Sequence, residues 1–301
     1  MKKPKPYSGV IVPMITPITA DGAIDEAATV RLVQFFIEHG VAPFAFGTTG
    51  ESASIPDNLR PRFIRLIVET VAGRQRTFVG ISSNRLDTAV ELSRIYFDAG
   101  VDVVVAHLPY YYDLTPEQMQ KYLEALIEAV PGKIMLYNIP ATTHLSIPLS
   151  VVDALSRNEN VVGLKDSERN LDRLHRAITM WRDREDFSFF VGWGAQLAAG
   201  LLRGADGVVP STANVVPHWY RQMYEAAVAG DAAQAEAWQR RTEAVSRIYQ
   251  ANRTLGQSLA ALKVMMHALG LCEPHVLPPL TRLKEEEEAE IIREMKRLQL
   301  L

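Results

Sequence analysis

Short apolar runs alternate along this chain with longer stretches whose apolar residues recur every three or four positions. The runs are residues 9–15, 43–46, 77–81, 101–106, 133–137, 161–164, 187–191 and 207–209. Each reads as a buried strand. Between them the pattern predicts helices. Leu32, Val33, Phe36 and Ile37 mark one helical face, with Asp25 as its N-cap and Gly40 as the glycine that ends it. Further helices are predicted over 57–71 and 86–99, from Pro148 onward, and over 171–181, 196–202 and 217–229. Thr115-Pro116-Glu117-Gln118 opens another as a capping box with proline at the first helical position.

Eight strand–helix units are complete by about residue 229. Alternation of this kind implies an α/β protein with a parallel sheet. Eight units imply that the sheet closes into a (β/α)8, or TIM, barrel over residues 1–230. An open doubly wound sheet is the alternative, but the glycine-rich phosphate fingerprint is missing after the first strand. Residues 231–301 carry no strand signal and read as about three helices, packed on the outside of the barrel or on another subunit. The acidic run 285–288 reads as the solvated first turn of the last helix.

Composition narrows the partners. Of the 301 residues, 48% are hydrophobic and 22% charged, an ordinary globular balance. A formal charge of −3 leaves no electrostatic footprint for nucleic acid or an anionic membrane. No run approaches the ~20 apolar residues of a membrane span. The single cysteine, Cys272, has no internal disulfide partner, which fits a reducing, cytoplasmic setting. Lys2, Lys3 and Lys5 precede an apolar run, but Pro13 and Pro17 interrupt it, so a secretory leader is disfavoured.

Active sites of such barrels lie at the C-terminal ends of the strands. The groups collected there are Thr48, Thr49, Ser82, Ser83, Tyr110 to Tyr112, Tyr137, Asn138, Lys165, Asp166, Gly192 and Ser211. The set is rich in hydroxyls and holds one amine. His107, His144 and His218 fall in separate loops without metal-ligand spacing, so no metal is expected. A cation at the end of a buried strand is costly unless it is solvated, paired or neutral. A free lysine, with a pKa near about 10.4, is only about 0.04% neutral at pH 7, and lowering a lysine by about three units takes about 4 kcal/mol. Burial inside a barrel supplies that. A neutral amine at Lys165 attacks the ketone of a 2-oxo acid and forms an imine, an electron sink for breaking or making a carbon–carbon bond. Tyr137, one strand earlier, is placed to move protons. The 48–50 loop offers hydroxyls and N–H groups to a carboxylate.

Plainer readings accompany each residue. Lys165 is alternatively a structural cation paired with Asp166 or Glu168. The three tyrosines read as packing or interface residues. Thr48 and Thr49 read as turn formers, Trp193 as pocket wall, and Lys263 with His267 as one face of a tail helix.

Four segments carry a family resemblance: Gly47-Thr48-Thr49-Gly50-Glu51-Ser52, Pro109-Tyr110-Tyr111, Tyr137-Asn138-Ile139-Pro140 and Gly163-Leu164-Lys165-Asp166. Their order and separation resemble the dihydrodipicolinate synthase/N-acetylneuraminate lyase family of pyruvate-dependent class I aldolases. The resemblance implies Lys165 as the imine-forming lysine and Tyr137 as general acid/base. It implies Thr48 as a proton relay to Tyr111, with Tyr111 reaching into a neighbouring subunit of a homotetramer built as a dimer of dimers. It places Thr49 at the pyruvyl carboxylate and the Val209 backbone along the imine pocket; Gly47, Gly192, Trp193 and Thr142 are further substrate-binding candidates, with Trp193 after Gly192 closing the pocket over the aldehyde portion. No cofactor is implied beyond the covalent imine itself.

Two departures bear on substrate. Dihydrodipicolinate synthases have an arginine for the aldehyde's carboxylate where this chain has Thr142. Sialic acid lyases have an acidic residue after the glycine of strand seven, where this chain reads Gly192-Trp193-Gly194-Ala195-Gln196. The expectation is therefore cleavage of a 2-oxo-3-deoxy or 4-hydroxy-2-oxo acid to pyruvate and an aldehyde. Condensation of pyruvate with aspartate semialdehyde is the second reading. A catalytically silent 2-oxo acid binding protein is a third, from another class.

Overall fold

The computed structural model describes residues 5–301; of the N-terminal lysines in the leader argument, Lys2 and Lys3 lie outside the described residues. Eight parallel strands close into a barrel in sequence order, with β1 paired to both β2 and β8. They are β1 (Gly9–Pro13), β2 (Ala42–Ala45), β3 (Phe78–Gly80), β4 (Val103–His107), β5 (Ile134–Asn138), β6 (Val161–Asp166), β7 (Ser188–Val191) and β8 (Gly207–Val208). Closure excludes the open sheet.

The outer helices are α1 (Glu26–Glu38), α2 (Arg60–Val71), α3 (Leu86–Asp98), α4 (Pro116–Ala129), α5 (Pro140–Thr143), α6 (Leu149–Leu155), α7 (Leu171–Trp181), α8 (Leu197–Leu202) and α9 (Pro217–Val228). The local signals act as the sequence implies. The Asp25 side chain accepts from Ala28 N at 2.9 Å, and Thr115 and Gln118 form the reciprocal capping box. The tail is three helices, α10 (Ala232–Gln250), α11 (Leu255–Ala268) and α12 (Glu285–Arg297).

Inward-facing residues of alternate strands fill the barrel: Ile11, Phe44, Phe78, Val103, Val105, Met135, Tyr137, Val162 and Phe190 form one cluster with the site residue Val209. Outward-facing residues join the helices in a second, larger core that includes Tyr249, Leu262 and Met265 of the tail.

Four features differ from the sequence reading. Strand β6 runs on through Lys165 and Asp166, which pair in register with Phe190 and Val191 of β7. His107 belongs to β4 and His218 to α9, not to loops. Lys263 is not on an exposed helix face: α11 is buried along residues 258–266, and this lysine is wholly enclosed. In the acidic first turn of α12, Glu288 is mostly covered and accepts from Arg282 at 2.7 and 2.9 Å.

Candidate active site

Lys165 projects into the barrel mouth from the C-terminal end of β6 and is 4% exposed. Its Nζ lies 3.7 Å from the centre of the Tyr137 ring and 5.0 Å from that of Phe44. The β5–β6 register sets Tyr137 directly opposite it. No carboxylate pairs with the amine among the described residues. Burial pushes the Lys165 pKa below the ordinary lysine value, opposed only by Tyr137. The ring face and the hydroxyl of Tyr137 both favour the ammonium, and burial outweighs them.

The structural-cation reading fails because its partners are engaged elsewhere. Asp166 accepts from Arg173 Nε at 2.7 Å and from Asn138 Nδ2 at 3.0 Å. Glu168 accepts from Asn138 Nδ2 at 3.0 Å and from Ser146 Oγ at 2.6 Å, and lies 3.4 Å from Arg173. Burial raises the Asp166 pKa against the pull of Arg173. This network sits just beyond Tyr137 and Lys165 on both strands, and it holds their ends at one register. Gly192 closes the same corner. A Cβ there would fall 2.2 Å from Ser167 Oγ, so only glycine lets β7 approach β6 this closely.

The carboxylate-binding candidates sit on the loop after β2. Thr48 begins a 3₁₀ turn, and Thr49 is buried within it. Phe46 and Glu51, at φ +52° and +55°, flank that turn in the left-handed region. Each costs about 1–3 kcal/mol and persists only where the surroundings hold it. Phe46 is held by stacking on Phe63 and by Arg60 over its ring. Thr16 Oγ1 donates to Gly50 O at 2.7 Å.

A cavity of about 480 Å³ opens above the amine. Lys165, Tyr137, Thr48, Thr49, Gly192, Trp193 and Val209 all line it. Gly47 and Thr142 do not. Gly47 shapes the loop, with a Cβ there 3.0 Å from the Phe44 ring, and on α5 it is Ala141 that reaches the wall. Tyr111 is not in this chain's cavity either. It is 76% exposed and stacks edge-on with Tyr112.

The sequence reading missed the cavity's outer half. Arg169 and Ser167 follow β6, while Glu243, Ser246, Arg247 and Gln250 come from α10 and Leu255 from α11. The tail, expected on the outside, walls the mouth. Tyr249 anchors it there, its hydroxyl 2.7 Å from Ser211 Oγ and 2.9 Å from Thr212 Oγ1 just after β8. The polar residues of α10, spaced 243, 246, 247 and 250, were a readable signal of a second wetted face.

A buried amine at a barrel strand end, with no carboxylate partner among the described residues and hydroxyls around it, is the arrangement of a carbon–carbon lyase of the class I aldolase type. Comparison with known proteins gives the same class. The chain belongs to the Dihydrodipicolinate synthetase family, whose model matches residues 6–298. It is 36% identical over 286 residues to a 4-hydroxy-tetrahydrodipicolinate synthase of Thioalkalivibrio sulfidiphilus, covering 95% of each chain. The structure of dihydrodipicolinate synthase from Bacteroides thetaiotaomicron superposes with a TM-score of 0.92 at 30% identity, over 97% of this chain and 99% of that one. YagE, a prophage protein of E. coli K12 in the dihydrodipicolinic acid synthase family, was solved in complex with pyruvate. It superposes with a TM-score of 0.92 at 27% identity, over 98% of this chain and 100% of that one.

Proposed function

We propose that the chain cleaves a 2-oxo-3-deoxy or 4-hydroxy-2-oxo acid to pyruvate and an aldehyde through an imine on Lys165. The observation that carries this is the buried Lys165 amine, free of any carboxylate among the described residues and opening onto a cavity lined by Thr48, Thr49 and Tyr137. The neutral amine adds to the C2 carbonyl, the Tyr137 hydroxyl gives its proton to the departing oxygen, and water leaves a protonated imine beside the Tyr137 phenolate. The protonated imine draws electrons as the C3–C4 bond breaks and the C4 hydroxyl gives its proton to Tyr137. The enamine takes a proton at C3, and water then releases pyruvate. No cofactor other than this covalent adduct is called for. Thr49 and the loop N–H groups take the pyruvyl carboxylate, and Thr48 passes protons onward to Tyr111 of a neighbouring chain. The exposure of Tyr110, Tyr111 and Tyr112 supports that exchange between the chains of a homotetramer.

The aldehyde half of the substrate is the finer question. The position of Thr142 offers no cation, and the side chain stays off the cavity wall. That favours a hydroxylated aldehyde over aspartate semialdehyde. The second reading, 4-hydroxy-tetrahydrodipicolinate synthase, draws on the names of the curated relatives and on Arg169 and Arg247 in the outer cavity. A panel of 2-oxo-3-deoxy and 4-hydroxy-2-oxo acids assayed for pyruvate release separates the two. We expect kcat/KM for the best of them to exceed that for aspartate semialdehyde condensation by at least about tenfold, a gap of about 1.4 kcal/mol in transition-state binding. The opposite order makes the chain a synthase.

Thr49→Val tests the carboxylate site separately. It keeps the shape and removes a hydrogen bond to a charged group. Half-saturating pyruvate in borohydride trapping is expected to rise about tenfold or more, with unfolding stability nearly unchanged. An unchanged value would take Thr49 out of the site.

A further inference from the structure

The chemistry above leaves one wholly enclosed ion pair unused. Lys263, in the middle of α11, has its Nζ 2.6 Å from Glu51 Oε1, and the two side chains are 0% and 1% exposed. The same ammonium donates to His275 O at 2.5 Å. The other oxygen, Glu51 Oε2, accepts from Leu277 N at 3.3 Å. One carboxylate thus joins the loop after β2 to α11 and to the segment that follows α11.

Glu51 is the last residue of the turn that carries Thr48 and Thr49. Its N–H donates to Thr48 O at 3.2 Å, and its backbone is left-handed. A side chain that fixes Glu51 therefore fixes where the turn ends. Phe46, packed against Phe63 of α2, holds the start of this loop, and Thr16, after β1, bonds to Gly50 O next to Glu51. Its end is held from the tail. An apolar pair of equal volume would serve packing as well or better, because a buried ion pair gains little net stability after desolvation. What the carboxylate provides is two separate links: Oε1 beside the lysine, and Oε2 accepting from a backbone N–H.

We propose that Glu51 and Lys263 are positioning residues that set the Thr48–Thr49 turn for the carboxylate of a 2-oxo acid, so that pyruvate binding depends on the docked tail. The proposal rests on the reading that this turn binds that carboxylate. Neither residue lines the cavity, and both act through the threonines.

The test is borohydride trapping on the full chain, titrated with pyruvate, with the modified residue mapped by mass. Lys263→Met, Glu51→Gln and the double variant Glu51→Gln/Lys263→Met are compared with wild type. Lys5→Met is the control. Lys5 forms a comparably buried pair with Asp206, 2.7 Å away, at the opposite mouth of the barrel. In each Glu51 or Lys263 variant that folds, half-saturating pyruvate is expected to rise at least about tenfold, while trapping at saturation still maps to Lys165. The double variant, with no stranded charge, is expected to recover thermal stability and keep the raised value. Lys5→Met is expected to lose stability with its half-saturation unmoved.

A half-saturation within twofold of wild type in the folded double variant, or in the nearly isosteric Glu51→Gln, overturns the proposal and leaves the pair a packing feature. Wild type that traps no pyruvate at Lys165 overturns the reading of the site instead, and the proposal with it. The two failures are thus distinct.

Discussion

Replacing Lys165 with methionine is expected to abolish the borohydride-trapped pyruvate adduct, to lower the rate of pyruvate release by at least about a thousandfold, and to make the protein more stable. The first two follow from the site holding one amine. Nothing else in the cavity wall is positioned to form an imine: the nearest alternatives, Arg169 and Arg247, are guanidinium groups. The gain in stability follows from burial. Methionine fills similar volume against Phe44 and Tyr137 without placing a charge among them, and a gain on the order of 1–2 kcal/mol is expected at pH 7.

That gain has a defined pH dependence. The folded-state pKa of Lys165 is lowered by burial. Between that lowered value and the ordinary lysine value of about 10.5, the unfolded chain therefore binds more protons than the folded one. Wild-type stability rises with pH across this window, and the variant lacks that rise. The stability gap between variant and wild type must narrow as pH increases toward 10.5. Urea unfolding of both proteins at several pH values from 7 to 10 measures it. A variant that is less stable at pH 7, or a gap that widens with pH, would mean that the amine is charged and compensated by a partner the geometry does not show.

The parts of this site that were legible in the sequence are those encoded locally. Apolar runs located all eight strands, because a strand covered on both faces has to be apolar along its length. Strand ends then nominated Thr48, Thr49, Tyr137, Lys165 and Gly192, the family resemblance added Val209, Trp193 followed from its place after Gly192, and the fold brings these seven around one cavity. What stayed hidden was encoded by distance. Lys263 reads as a surface residue by type, since lysine is almost never fully buried unless paired. Its partner Glu51 lies on the far side of the barrel sequence. The clue was the flanking run Leu259 to Met266, apolar on every side of the helix and so unlike an exposed face. The outer cavity wall left a local trace in the polar residues 243, 246, 247 and 250 of α10, but only closure of the barrel shows that this face turns to the mouth. Tyr111 is the converse case. Its segment was conspicuous in the sequence, yet the side chain stands exposed, away from this chain's cavity.

Tyr137→Phe is expected to lower kcat by about 10²–10⁴-fold while leaving the imine lysine in place. The substitution is informative because of how Tyr137 is held. The Lys165 amine lies 3.7 Å from the centre of its ring, and the ring is fixed by strand register and by the Asn138–Asp166 hydrogen bond one residue further along both strands. Phenylalanine keeps the ring face, the register and the barrel packing. It removes only the hydroxyl, the group proposed to carry protons between the imine nitrogen, the C4 hydroxyl and solvent. Trapping with pyruvate should therefore still map to Lys165, more slowly, and unfolding stability should stay within about 1 kcal/mol of wild type, as expected when one hydrogen-bonding group is lost without a cavity. A kcat within threefold of wild type would assign proton transfer to another hydroxyl, with Thr48 the next within the same cavity. Loss of trapping altogether would instead show that the phenol is needed to form the imine and not only to turn it over.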